Sequence, residues 1–194
     1  ARYDANVVMV DWSFYSVDCY ANCYCNIPRI AETTAELLCK ADSDLNINIT
    51  QIHVLGHSMG GQLAGLTGQK VQEKCNKTIK RVSALDPAGP LYNGVDKSKR
   101  LDASDAEEVM VCHSNQGIMG YFGNCGTVDY YPDMGVYQNG CSIFNSPASN
   151  VIDILAYPVG CSHLRCVSYM IESISSNKFI GKKCLGCSSC TPNL

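Results

Sequence analysis

The chain opens with Val7-Val8-Met9-Val10, a short apolar run that is mostly β-branched, followed by an irregular stretch over residues 11–26 that holds Cys19, Cys23 and Cys25. An uninterrupted apolar run of this kind suits a strand buried on both faces of a parallel sheet. The period then changes. Over residues 27–40, Ile30, Ala31, Ala35, Leu37 and Leu38 fall near helical spacing and predict a helix. Residues 49–55 predict a second strand, 62–72 a helix rich in small side chains, 79–85 a third strand, and 108–112 a fourth. Residues 167–174 read as the last helix, and the chain before them, from residue 113, is rich in Gly, Tyr, Asn and Cys, as long loops beside a site are. Strands alternating with helices, with no repeat and no linker, predict one α/β domain over 1–194 around a mainly parallel sheet.

Composition narrows the setting. A chain of 194 residues, 46% hydrophobic and 17% charged, can build one substantial core. Its net charge of −3 offers no basic stripe for nucleic acid and no polybasic cluster for anionic membranes. The apolar runs fall well short of the roughly 20 residues that span a bilayer, so no transmembrane segment is expected. Ala1-Arg2-Tyr3-Asp4 does not read as a signal peptide, and the chain reads as mature or truncated. Thirteen cysteines are a heavy load. Cys184, Cys187 and Cys190 form a C-x2-C-x2-C run, but no second ligand pair with zinc spacing accompanies it. An oxidising compartment explains the whole set better. The sequons at Asn48 and Asn76 agree with that reading. The expectation is a secreted, disulfide-bonded glycoprotein, with at least one cysteine free or bonded to another chain.

Candidate chemistry centres on Gly56-His57-Ser58-Met59-Gly60, which matches G-x-S-x-G between a predicted strand and a predicted helix. A sharp strand-to-helix turn strains the serine backbone and exposes its oxygen, and small flanking residues make the turn possible. The helix N-terminus then aims amides at a developing oxyanion, with the Met59 N–H as one donor. A serine nucleophile needs a positioned base, itself oriented by a carboxylate. Asp86 follows the predicted strand 79–85 and lies 28 residues beyond Ser58, about what one helix and one strand consume. That spacing sets it at the carboxyl edge of the neighbouring parallel strand. Of four histidines, His57 adjoins Ser58 in the chain and His53 sits within the strand, below the edge. His113 and His163 both satisfy the order serine, acid, histidine, and the residues themselves favour His163 only mildly.

Taken together, Val10-Asp11-Trp12, the elbow segment 53–68, residues 85–90, Arg100-Leu101-Asp102-Ala103-Ser104-Asp105-Ala106 and Cys161-Ser162-His163-Leu164-Arg165 resemble the pancreatic-lipase family of secreted animal lipases and phospholipases A1. The resemblance implies the α/β-hydrolase fold. It makes Ser58 the nucleophile, Asp86 the orienting acid and His163, rather than His113, the base. It requires no cofactor for catalysis. It implies a structural calcium loop with Asp102 and Asp105 as carboxylate ligands and the carbonyls of Arg100 and Lys97 beside them, a donor set of the hard oxygens that calcium takes. A proline common in that motif is Ala103 here. Cys141 and Cys161 correspond to the disulfide that closes the family's lid. The 19 residues between them include Val151, Ile152, Ile154 and Leu155, a patch able to cover the site in water and turn toward lipid at an interface.

The resemblance also has gaps. Strands that precede residue 7 in the family, one of them carrying the second oxyanion donor, have no counterpart in this chain, nor has the C-terminal lipid-binding β-sandwich. The expectation is a partial catalytic domain: either an N-terminal piece exists as a separate cleaved chain of the same protein, which an unpaired cysteine could tether, or as a further segment, or the fragment is not an active enzyme. The predicted function is hydrolysis of carboxylic esters of lipids at an interface. The long lid favours triacylglycerol or related acylglycerols, and the short 113–129 loop favours a phospholipase A1. A non-catalytic lipid- or pigment-binding, yolk-type protein is the other class.

Overall fold

The computed structural model describes residues 5–17 and 19–184. Cys187 and Cys190 of the C-terminal cysteine run lie outside these residues. After one helical turn, α1 (Ser13–Ser16), come the long helix α2 (Tyr20–Leu45), strand β1 (His53–His57), helix α3 (Met59–Cys75), and strands β2 (Arg81–Leu85), β3 (Glu108–Cys112) and β4 (Val128–Tyr130). Helix α4 (Val151–Ser173) closes the order. The four strands form one sheet in the order β1-β2-β3-β4, every neighbouring pair parallel. The fold is α/β, as the alternation predicts.

Two layers of helix cover one face of the sheet. Val82, Ala84, Val109 and Val111 share a cluster with Leu63, Ala64, Leu66 and Val71 of α3 and with Ile27, Ile30, Ala31 and Ala35 of α2. A disulfide between Cys39 and Cys75 joins the two helices. Side chains alternate along a strand, so Leu85 and Cys112 point the other way. There they meet Cys166, Val167, Tyr169 and Met170 of α4 in a second, smaller cluster. A second disulfide, Cys112–Cys166, ties the end of β3 to α4.

Several elements differ from the sequence reading. Residues 7–10 form no strand, and Val7, Val8 and Met9 are almost fully exposed. A β-branched run becomes a strand only when a neighbour accepts its ladder, and none of the described strands pairs with it. Helix α2 starts at Tyr20, inside the stretch expected to be irregular, and runs through Pro28. Proline removes one helical N–H and discourages helix assignment. Here the stripe Cys23, Ile27, Ile30, Ala31 and Ala35, buried against α3, holds the helix together across it. Residues 49–51 form a 3-10 turn, and the strand begins at His53. β4 was not legible because it is three residues long. Helix α4 begins at Val151 instead of 167 and includes Pro158.

Candidate active site

The first three strands end together, at His57, Leu85 and Cys112. The next residue on each strand is Ser58, Asp86 or His113, side by side at the carboxyl edge, where open α/β sheets bind ligands. One further rung locks them: Ser58 N–H donates to Leu85 O at 3.0 Å, Asp86 N–H to Cys112 O at 2.7 Å, and His113 N–H to Tyr130 O at 2.8 Å.

Ser58 caps α3 with φ 55° and ψ −124°, a strained conformation for a residue with a Cβ. Its carbonyl accepts from Gly61 N–H and Ala88 N–H, which holds the turn from both sides. Gly56 has to be glycine, because a Cβ there would lie 2.0 Å from the Gly60 oxygen. Met59 is the first residue of α3, so its N–H has no intrahelical partner and is free for an oxyanion. Ser58 itself is part-exposed, and its hydroxyl makes no hydrogen bond to another described side chain.

Asp86 is fully buried at φ 42°. Its Oδ1 accepts from the backbone N–H groups of Ser114 and Asn115 at 2.8 and 3.0 Å, and its Oδ2 lies 2.5 Å from His163 Nδ1. His163 is buried within α4, its helix pinned by the Cys112–Cys166 disulfide three residues on. His113 has a different partner. Its Nε2 lies 2.8 Å from Asp129 Oδ1 and its ring stacks on Tyr131. The same Asp129 oxygen accepts from Cys125 N–H. The structure therefore gives each histidine its own carboxylate, and it is His163 that meets Asp86.

Sequence reading missed several supports. The Ser114 and Asn115 amides carry no side-chain signature. Gln62, fully buried, donates to Ala88 O and accepts from Leu101 N–H, bracing the segment after Asp86 against the 97–105 loop. His57 reaches the His163 carbonyl with its Nε2 at 2.9 Å. A histidine within the elbow pattern marks none of this.

In the 97–105 loop, the carbonyls of Lys97 and Arg100 converge on Gln69 Nε2 at 3.0 and 2.9 Å. Asp105 is buried, with Oδ2 taking the Asp102 N–H and Oδ1 left without a partner. Burial pushes its carboxyl up to about 7, against the opposing pull of the Asp102 N–H and the Gln69 amide. Asp102 Oδ1 accepts from Ser104 N–H and Oγ–H. Two carbonyls, an orphaned buried carboxylate oxygen and a second carboxylate suit a hard cation. The Gln69 amide already hydrogen-bonds both carbonyls.

Cys141 and Cys161 are joined by a disulfide. Between them lies a loop with a 3-10 turn at Ile143–Asn145, and then the first turns of α4, capped by Asn150 Oδ1 on Asp153 N–H. Val151, Ile152 and Leu155 face solvent, at 71, 79 and 64% exposure, instead of lying over the cleft. Their spacing sets them on the outer side of the helix, before Pro158.

Comparison with known proteins settles the family. The lipase family model matches residues 1–192. The chain belongs to the lipase family. It is 32% identical to the pancreatic triacylglycerol lipase of Oryctolagus cuniculus, an alignment covering 97% of this chain and 44% of that protein. It is 31% identical to the phospholipase A1 of Polybia paulista over 87% of this chain and 51% of that protein. It is 33% identical to lipase member H of Danio rerio over 91% and 36%. The chain thus spans about half or less of the length of each of these relatives. Asn48 and Asn76 are exposed, and among the described residues no helix is long and apolar enough to cross a membrane.

Proposed function

We propose that this lipase-family chain carries the catalytic centre of a secreted serine esterase that hydrolyses carboxylic ester bonds of lipids. The observation that carries the reading is the buried Asp86–His163 pair, set beside a strained serine at the carboxyl edge of the sheet. In this reading His163 Nε2 takes the Ser58 hydroxyl proton as the oxygen attacks the ester carbonyl. The Met59 N–H stabilises the oxyanion. The alcohol leaves with the proton from His163, giving an acyl-enzyme, and water repeats the sequence to release the acid. Asp86 keeps the His163 proton on Nδ1 and stabilises the imidazolium, its own charge held by the Ser114 and Asn115 amides.

Triacylglycerol or a related acylglycerol is the substrate class favoured by the long disulfide-closed segment 141–161, whose exposed apolar side chains are suited to a lipid surface. The short 113–129 loop favours a phospholipase A1 as the alternative. Secretion is supported by three disulfides among the described residues and two exposed sequons. A structural calcium is assigned to Asp102, Asp105 and the carbonyls of Arg100 and Lys97, neutralising the buried Asp105 carboxylate and taking no part in the chemistry.

Ser58→Ala tests the reading. The variant is expected to lose ester hydrolysis by a factor of about 10³ or more, to escape fluorophosphonate labelling, and to keep the wild-type Tm, since the hydroxyl makes no hydrogen bond to another described side chain. Activity within tenfold of wild type on a dissolved short-chain ester would sink the assignment. A wild-type protein that resists the label would favour the non-catalytic, yolk-type class.

A further inference from the structure

We infer that His57, the residue before the candidate nucleophile, is a positioning residue that clamps the helix bearing the candidate base through a hydrogen bond from its ring to the His163 main-chain carbonyl. The inference rests on the reading of Ser58 and His163 as nucleophile and base.

His57 is the last residue of β1, and its backbone is fixed on both sides: its ladder partner is Leu85, and the next residue, Ser58, donates to Leu85 O. From this anchored point its Nε2 reaches the His163 carbonyl at 2.9 Å, across 106 residues of chain, and the two rings lie 4.5 Å apart. A carbonyl has two lone pairs, so the helical N–H four residues on and the His57 ring can share this oxygen. Only a ring with its proton on Nε2 can make the bond. Burial holds the His57 pKa below the ordinary histidine value, with the neighbouring His163 ring acting in the same direction. The titratable groups facing it are His163 from α4 and Asp86 from the end of β2.

The clamp adds to the holds just upstream of His163, the buried Ser162 hydroxyl that accepts from Gln138 N–H at 3.1 Å and the Cys141–Cys161 disulfide, because the turns of α4 before these are mostly exposed. Pro158 removes a helical hydrogen bond five residues before His163. The turns before that proline expose Val151, Ile152 and Leu155, and the Cys141–Cys161 disulfide joins the helix only after it. Downstream, the Cys112–Cys166 disulfide fixes the helix to β3. Asp86 holds the His163 ring, and His57 holds its main-chain carbonyl. His57 ties the base to the strand that carries the nucleophile, so that movement of the 141–157 segment does not shift His163 relative to Ser58.

The experiment compares wild type, His57→Gln and His57→Leu, all first scored for fluorophosphonate labelling of Ser58. Gln places an amide N–H near the position of Nε2, and Leu fills space with no donor. The expected result is a fall in kcat of about tenfold to a hundredfold for His57→Leu on a dissolved short ester, with KM little changed, and recovery of most of that loss by His57→Gln. The far-downfield proton signal of the His163–Asp86 hydrogen bond is expected to persist in His57→Gln and to broaden or vanish in His57→Leu. Equal activity in His57→Leu and wild type, or equal impairment of both variants, would overturn the clamp while leaving the nucleophile assignment intact. Failure of wild type to label would instead remove the reading on which it rests. Should neither variant fold, nitrogen-15 NMR of the wild-type histidines decides: Nε2–H for His57 supports the clamp, and Nδ1–H overturns it.

Discussion

At the residue scale, the site depends on backbone contacts as much as on its named side chains. Asp86 shows this best. It sits at a positive φ that an L-residue adopts at a cost, and is held there by its N–H on Cys112 O and by two amides on Oδ1. Gly120 closes the space around it: a Cβ there would lie 2.5 Å from Asp86 Oδ1 and 2.9 Å from its Cγ. Gly120→Ala is therefore expected to displace the carboxylate and with it the His163 ring. We expect a loss of kcat/KM of about tenfold or more, with a stability cost of about 1–3 kcal/mol. Kinetics well below the Tm, paired with thermal melts, separate the two effects. Activity within about threefold of wild type would show that Asp86 tolerates the shift and that its precise placement matters little.

At the element scale, α4 is two half-helices with different tasks. Its C-terminal half carries His163 and packs through Cys166 and Val167 onto Leu85 and Cys112. Its N-terminal half presents Val151, Ile152 and Leu155 to water, and Phe144 in the preceding turn is 92% exposed. Each such side chain gains roughly 1.5–3 kcal/mol on full transfer to an apolar medium, so partial burial of several at a lipid surface outweighs a modest conformational cost. Replacing Ile152 and Leu155 together with Ser is expected to cut hydrolysis of emulsified lipid sharply and leave turnover of a dissolved short ester intact. The Tm should hold, because solvent-facing substitutions of this kind change stability by about 0.5 kcal/mol or less. A joint fall of both activities and of Tm would mean that the segment is core in solution.

At the scale of the whole molecule, the 97–105 loop braces the back of α3. Gln62, Gln69 and Gln72 reach it from along the helix, and Lys97 O, Arg100 O, Leu101 N–H and Ser104 O answer them. A cation here would reinforce a contact that steadies the helix behind the elbow, and ligand binding to the folded state alone raises stability by mass action. Calcium at about 1 mM is expected to raise the Tm above its value in EDTA, and Asp105→Asn to remove the increment. A wild-type Tm indifferent to calcium would show that the Gln69 amide has taken the cation's role. The alternation of strands and helices, the Ser58 elbow and the strand-end position of Asp86 were legible along the chain, because period and turn chemistry are local properties. Other features were settled only by the fold. The residues alone left His113 and His163 nearly level, and what separates them is which buried carboxylate each meets, Asp129 or Asp86. Residues 7–10 have strand composition but no neighbour to complete their ladder. Pro28 and Pro158 argue for breaks that long-range burial and disulfides override. The sequence by itself determined that Ser58, Asp86 and His113 stand at the ends of strands. The tertiary structure decided which partners they meet, because hydrogen-bond partners, burial and pKa depend on contacts between residues far apart in the chain.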